Sequence, residues 1–202
     1  MTLYDVVQNV DQIIVNYWYE AAVGFNDMQK VQAVPTTMDA FVKKCAYAIA
    51  KQMDTSVNAL VNTLSQSVGT EGSALTADVL LEAYEALNEG DAPEDGRVWI
   101  FDPESITDLM QIDMFVRSDY APGEAMAKGF TGKEILGAPV YITNNLEAIN
   151  TTYHGAVYMQ QECFAVVQQL APRASKFYVP LQRTTVVECN ALWGAKLMRD
   201  TY

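Results

Sequence analysis

The feature that most constrains this chain is an apolar stripe running from Pro35 to Val68. Met38, Val42, Cys45, Ile49, Met53, Val57, Leu60, Leu64 and Val68 recur in steps of three or four, the repeat of one face of an α-helix. Phe41, Ala46 and Val61 widen the stripe, and Lys43, Lys44, Lys51, Gln52, Asn58 and Asn62 occupy the other face. Pro35 sets the entry, Thr36 is placed to cap, and Asp39 stands three residues on, an acidic form of the capping box. Asp39 also precedes Lys43 by one turn, the favourable order for an ion pair. Gly69 and Gly72 close the pattern. At about 1.5 Å per residue the rod is expected to be roughly 50 Å long. A helix of that length has to span its domain, so the other elements are expected to pack along it.

Around this rod, helices and strands mix without a strict βαβ repeat, which predicts an α+β fold. Val6 to Trp18 is β-branched and aromatic and reads as extended. Ala21 to Val34 is a connector, with Gly24 and Asn26-Asp27 as turn signals. A lone strand is not stable, so its partner is expected from elsewhere in the fold, from another subunit or from sequence outside this chain. Thr76 is placed to cap a second helix that gathers Leu80, Ala83, Tyr84 and Leu87 on one face. Asp78, Glu82, Glu85 and Glu89 lie on the other face, and Gly90 ends it. Asp91 to Gly96 is a turn, and Arg97 to Phe101 is the apolar run of a central strand. Asp102-Pro103 opens a short helix with Ile106, Leu109 and Met110 facing inward. Residues 119–137 read as a long loop. Gly137 to Asn145 and Gly155 to Met159 are predicted strands, Glu162 to Leu170 a helix, and Phe177 to Pro180 extended. Thr184 to Leu197 is a long strand or a strand pair broken at Gly194.

Charge narrows the classes of function. The 202 residues carry a formal charge of −12, and their 13 Lys and Arg are scattered. Tight wrapping of nucleic acid needs clustered cations, so a dedicated nucleic-acid module is excluded. No apolar run reaches the roughly 18 residues of a membrane span, and no basic-then-apolar leader opens the chain. The 3 cysteines, Cys45, Cys163 and Cys189, are far apart in apolar contexts, as buried free thiols would be.

Catalytic signals are weak. The only histidine, His154, could serve Cys163 as base to nucleophile in a soluble cysteine hydrolase, but no flanking motif or orienting third residue supports the dyad. Gly129-Phe-Thr-Gly-Lys-Glu134 has too few residues between its glycines for a phosphate loop. It also places Glu134 where a Ser or Thr would meet magnesium. The carboxylates of the second helix read as a solvated face, since a metal needs them to converge. No catalytic residue, cofactor or metal site is assigned.

The order of these pieces resembles the major capsid proteins of tailed bacteriophages with the HK97-like fold, over about Ile13 to Tyr202. Carrying the resemblance are Gln29 and Gln32 ahead of the long helix and Ala48-Ile-Ala-Lys-Gln-Met-Asp54 within it. Gly96-Arg-Val-Trp-Ile-Phe-Asp-Pro103, Gly137-Ala-Pro-Val-Tyr-Ile-Thr-Asn and Leu192-Trp-Gly-Ala-Lys196 follow in order. The resemblance implies a structural, non-enzymatic coat protein. Its copies would form the pentamers and hexamers of an icosahedral head enclosing double-stranded DNA. It implies residues 1–34 as the end of an extended loop and connector, 35–68 as a spine helix, 69–180 as an axial (A) domain and 181–202 as return strands of a peripheral (P) domain. An N-terminal arm and part of the extended loop are absent from this pattern, which implies a fragment, a processed chain or a shortened relative. Partners implied are copies of itself, with scaffolding, portal or decoration proteins and weakly held DNA, and no membrane. The location implied is the virion, after assembly in the host cytoplasm. Trp18, Phe130 and Trp193 are the expected interface anchors. An encapsulin-like compartment shell is the alternative on the same fold.

Overall fold

The computed structural model describes residues 11–32, 36–70, 72–112, 134–146 and 155–201. They fall into two compact units, one within Met1–Ala46 and Val166–Lys196, the other within Tyr47–Ala165 and Leu197–Tyr202.

The first unit is built on a three-stranded sheet of β1 (Tyr17–Asn26), β7 (Thr184–Leu197) and β6 (Phe164–Val179), with β7 in the middle. β1 and β7 run antiparallel from Tyr17 opposite Trp193 to Asn26 opposite Thr184. Burial alternates along β1, and along β7 as far as Cys189, as a period of two requires when one face is covered; beyond it Asn190 and Gly194 are buried as well. Tyr17, Tyr19, Ala21, Val23 and Phe25 point inward on β1, and Thr185, Val187, Cys189, Ala191 and Trp193 on β7. Covering this face is the first part of α2 (Thr36–Asn58), where Cys45 is buried and Phe41 meets Phe25 edge-on at 5.2 Å. A short helix, α1 (Asp27–Gln32), follows β1 directly.

Three expectations change here. The extended segment begins at Tyr17 and continues to Asn26 through what reads as a connector, and its partner is β7 of this same chain. The part of that segment from Val6 to Val10 lies outside the described residues, as do Pro35 and the side chain of Thr36. The predicted helix from Glu162 to Leu170 is instead the start of β6, a strand of 16 residues. Phe164, Val167 and Leu170 do step by threes, but so short an apolar run is ambiguous. The open edge of β7 decides in favour of a strand. Gly194 does not interrupt β7. A Cβ there would stand 2.4 Å from the Ile14 carbonyl oxygen, so the glycine lets the incoming chain cross close over the strand.

The second unit holds a four-stranded mixed sheet, ordered β3 (Glu134–Ile135), β4 (Ala138–Ile142), β2 (Arg97–Phe101), β5 (Val157–Gln160). β2 is parallel to β4 and antiparallel to β5, which explains its unbroken apolar sequence. α3 (Ala77–Glu89) lays Leu80 and Leu87 on the core, with Trp99, Phe101, Ile106, Leu109, Ile135 and Ala138. Thr76 caps α3 by accepting from the Val79 N–H at 3.5 Å, and Asp78, Glu82, Glu85 and Glu89 face solvent as expected. Asp102 accepts from the Ser105 N–H at 2.9 Å and caps α4 (Pro103–Leu109). Ile106 and Leu109 are buried as expected, whereas Met110, just past the helix end, is exposed. The expected loop from 119 lies almost wholly outside the described residues.

The long helix is shorter than its stripe. α2 stops at Asn58 and tightens into a 3-10 turn, Ala59–Thr63, about 34 Å of α-helix at the standard rise. The cause is local. Thr55, Ser56 and Thr63 turn their hydroxyls back onto the carbonyls of Lys51, Met53 and Leu60, a competition that weakens a helix. The side chain of Asn58 donates to the Asn145 carbonyl at 3.3 Å, and the Ser65 N–H donates to Asp200 at 2.8 Å. These contacts draw the chain away from the rod before the glycines are reached.

Candidate assembly surfaces

β6 has a hydrogen-bonded neighbour on one side only, and most of its side chains face solvent. It leads into a 3-10 turn, Pro180–Gln182, after which Arg183 sits in the left-handed region at φ 49°. Pro180 fixes the turn at its first position. The turn is tied down, since the Asp27 N–H donates to the Arg183 carbonyl at 3.0 Å. The Tyr178 hydroxyl donates to the Asp27 carboxylate at 2.8 Å. That hydrogen bond, with some burial and the Asp27 charge, pushes the Tyr178 hydroxyl above its usual pKa. A braced hairpin therefore presents Phe177, Tyr178 and a Leu181 that is 98% exposed. Lys176 is exposed on the same strand, and Arg173 Nε donates to the Asn190 side-chain oxygen on β7 at 3.0 Å.

Of the expected anchors, Trp18 is 60% exposed on β1. Phe130 lies outside the described residues. Trp193 is a correction: it is 0% exposed, its ring stacked with Tyr19 at 5.2 Å and Tyr17 at 6.1 Å. It holds its own sheet together and has no face left for a neighbour. Its position on the inward register of β7 was readable, but only once β1 was known to pair there. Leu181 was missed because one leucine in a polar turn carries no periodic signal. β6 and β7 are hydrogen-bonded neighbours in the three-stranded sheet, and residue 180 lies in the turn between them.

Cys163 does not have the chemistry of a nucleophile. It is 0% exposed, and burial, then the charge of Asp200, pushes its thiol up to about 11. A thiolate is the reactive form, and at neutral pH this group stays protonated. Its proposed base, His154, lies outside the described residues, as does most of the Gly129–Glu134 segment. Among the described residues, no group of three His, Cys, Asp or Glu side chains could hold a metal ion, and no helix is long and apolar enough to cross a membrane.

A family profile described as "Phage capsid protein" matches residues 15–179. The chain belongs to the phage capsid protein family. Its role is structural, that of a coat protein forming an icosahedral shell. No curated protein matches this capsid protein in sequence. Among solved structures it is similar to one from Mycobacterium phage Che8, with TM-score 0.79 and 19% identity over 94% of this chain and 70% of that one. It is similar to the capsid of the cyanophage P-SCSP1u, with TM-score 0.73 and 14% identity over 100% of this chain and 78% of that one. The mature capsid of bacteriophage PhiM1 gives TM-score 0.71 and 11% identity over 100% and 77%. At these identities the likeness is one of fold, and the fold is the HK97-like α+β fold.

Proposed function

We propose that copies of this capsid protein assemble in the host cytoplasm into rings of five and six that close around double-stranded DNA. In this reading the unit built on β1, β7 and β6 is the P domain and the unit built on β2 to β5 is the A domain. The observation that carries the proposal is the braced β6–β7 hairpin. It leaves Phe177 and Tyr178 half exposed and Leu181 98% exposed, and large apolar side chains in solvent are stabilised when a neighbour covers them. The chain acts through such contacts and performs no catalysis. Scaffolding, portal or decoration proteins would meet the assembled surface, and DNA would be held weakly by a wall of net negative charge.

Negative-stain electron microscopy and sedimentation of the purified full chain, across salt concentrations, test this. Closed shells or rings of five and six are expected, with DNA rather than protein inside particles recovered from infected cells. A protein that stays monomeric at every salt concentration counts against it. Leu181→Asp is expected to lower particle yield at least about tenfold while changing subunit stability by less than about 0.5 kcal/mol, as for other exposed surface substitutions. Full particle yield from that variant would remove the hairpin from the contact.

A further inference from the structure

In the first unit, α2 and β7 each bring one cysteine into the same interior. Cys189 stands on the inward register of β7, opposite Ala21 of β1, and Cys45 lies on the side of α2 that covers this face. They are 4% and 6% exposed. One helical turn before Cys45, Phe41 packs edge-on against Phe25 of β1 at 5.2 Å, which holds this side of the helix down on the sheet. The two sulfurs meet there: the Cys189 thiol donates a hydrogen bond to the sulfur of Cys45. Both thiols are free. A buried cysteine ordinarily fills space as a small apolar side chain. Two in contact, one from a helix and one from a distant strand, are already brought together for a covalent bond, which unaligned cysteines cannot form without moving the backbone.

We propose that Cys45 and Cys189 are a redox pair that peroxide converts into a disulfide within the chain, stapling α2 to β7. Hydrogen peroxide is small and uncharged, so it enters where a bulkier thiol reagent does not. Cys45, once it loses its proton, attacks one peroxide oxygen; the O–O bond breaks, hydroxide leaves and a sulfenic acid forms. The Cys189 sulfur then attacks the Cys45 sulfur, and the sulfenic hydroxyl leaves as water with the Cys189 proton. Two thiols and one peroxide give one S–S bond and two waters, with sulfur oxidised and oxygen reduced. The order of attack follows from the hydrogen bond. Burial first, and then Cys45, whose charge and hydrogen bond both favour the protonated form, push the Cys189 thiol up, so Cys189 keeps its proton until the second step. Cys163 has no part in this: it is buried, with its thiol pushed up to about 11. The staple lies within one copy, so it does not depend on how copies meet.

The test treats the purified, folded full chain with hydrogen peroxide. Catalase then removes the oxidant, and the chain is unfolded in N-ethylmaleimide and digested without reductant. Mass spectrometry is expected to find the Cys45 peptide joined to the Cys189 peptide, with Cys163 alkylated. Oxidation is expected to raise the urea midpoint by about 1 M, because the bond closes a long loop of the unfolded chain. Dithiothreitol should abolish the gain, and Cys163→Ser should keep it. In Cys189→Ser, dimedone should trap a sulfenic acid on Cys45, whereas in Cys45→Ser it should trap none on Cys189. Alkylation of both Cys45 and Cys189 in the oxidised wild-type chain would overturn the pair, and so would a disulfide to Cys163 or between two chains. A sulfenic acid on Cys189 in Cys45→Ser would overturn the order of attack.

Discussion

Trp193 shows how one side chain organises a sheet. Its ring is covered by Tyr17 and Tyr19 from the same face of β1, so truncation leaves a cavity under both rings. Trp193→Ala is expected to cost about 3–5 kcal/mol, read as a lower urea midpoint. Cys163 makes a chemical prediction. With its thiol held at about 11 and all three cysteines buried, a thiol reagent at neutral pH should label none of them until the protein is unfolded. Prompt labelling of Cys163 in the native state would revive a hydrolase. Acid sensitivity also has residue-level sources. Hydrogen bonds from Ser65 hold the Asp200 carboxyl below its usual value, and a bond from Lys196 does the same for Asp11. Because the unfolded carboxyls take up protons first, near about pH 4, the stability they add is complete above that value. It is lost as pH falls through the lower folded values. Asp200→Asn should therefore flatten the acid limb of the stability curve, measured by thermal melts from neutral pH downward.

At the scale of elements, competition between local preference and pairing decides most outcomes. The α2 stripe is a true helix signal wherever the facing residues are Lys, Ala and Gln. It fails where Thr55, Ser56 and Thr63 turn their hydroxyls onto nearby carbonyls and Asn58 reaches out to Asn145. β6 fails in the opposite sense: its helical spacing at 164–170 is overruled because β7 needs a second neighbour. At Gly194 an element and a crossing segment share a space too small for a methyl group. Gly194→Ala, with its Cβ 2.4 Å from the Ile14 oxygen, should destabilise the first unit by about 1–3 kcal/mol through overpacking. Hydrogen exchange in β1 and β7 should report that loss while β2 stays protected.

For the whole molecule, charge and apolar surface work against each other. Each subunit brings a formal −12 to any contact it makes. Copies therefore repel until salt screens them, which takes the Debye length to about 10 Å at 0.1 M. The solvent-facing carboxylates of α3 contribute to that repulsion, so neutralising Glu82, Glu85 and Glu89 together should shift assembly to lower salt. An unchanged salt threshold, by light scattering, would show that this face looks away from neighbouring copies.

Elements whose cause is local were legible in the residues alone. The α3 cap at Thr76, the turn before Arg97, the α4 cap at Asp102 and the apolar centre of β2 all rest on residues within a few positions of one another. The order of those pieces, with the motifs of the long helix and the return strand, was enough to indicate a capsid fold. What depends on residues far apart in the chain came only with folding. Folding set the pairing of β1 with β7, the conversion of 164–170 to a strand and the capture of Ser65 by Asp200. It also turned Trp193 from an expected contact into a core residue and left Leu181 outside. A side chain's burial is fixed by whichever distant strand comes to lie over it, and that information is not held in its neighbours.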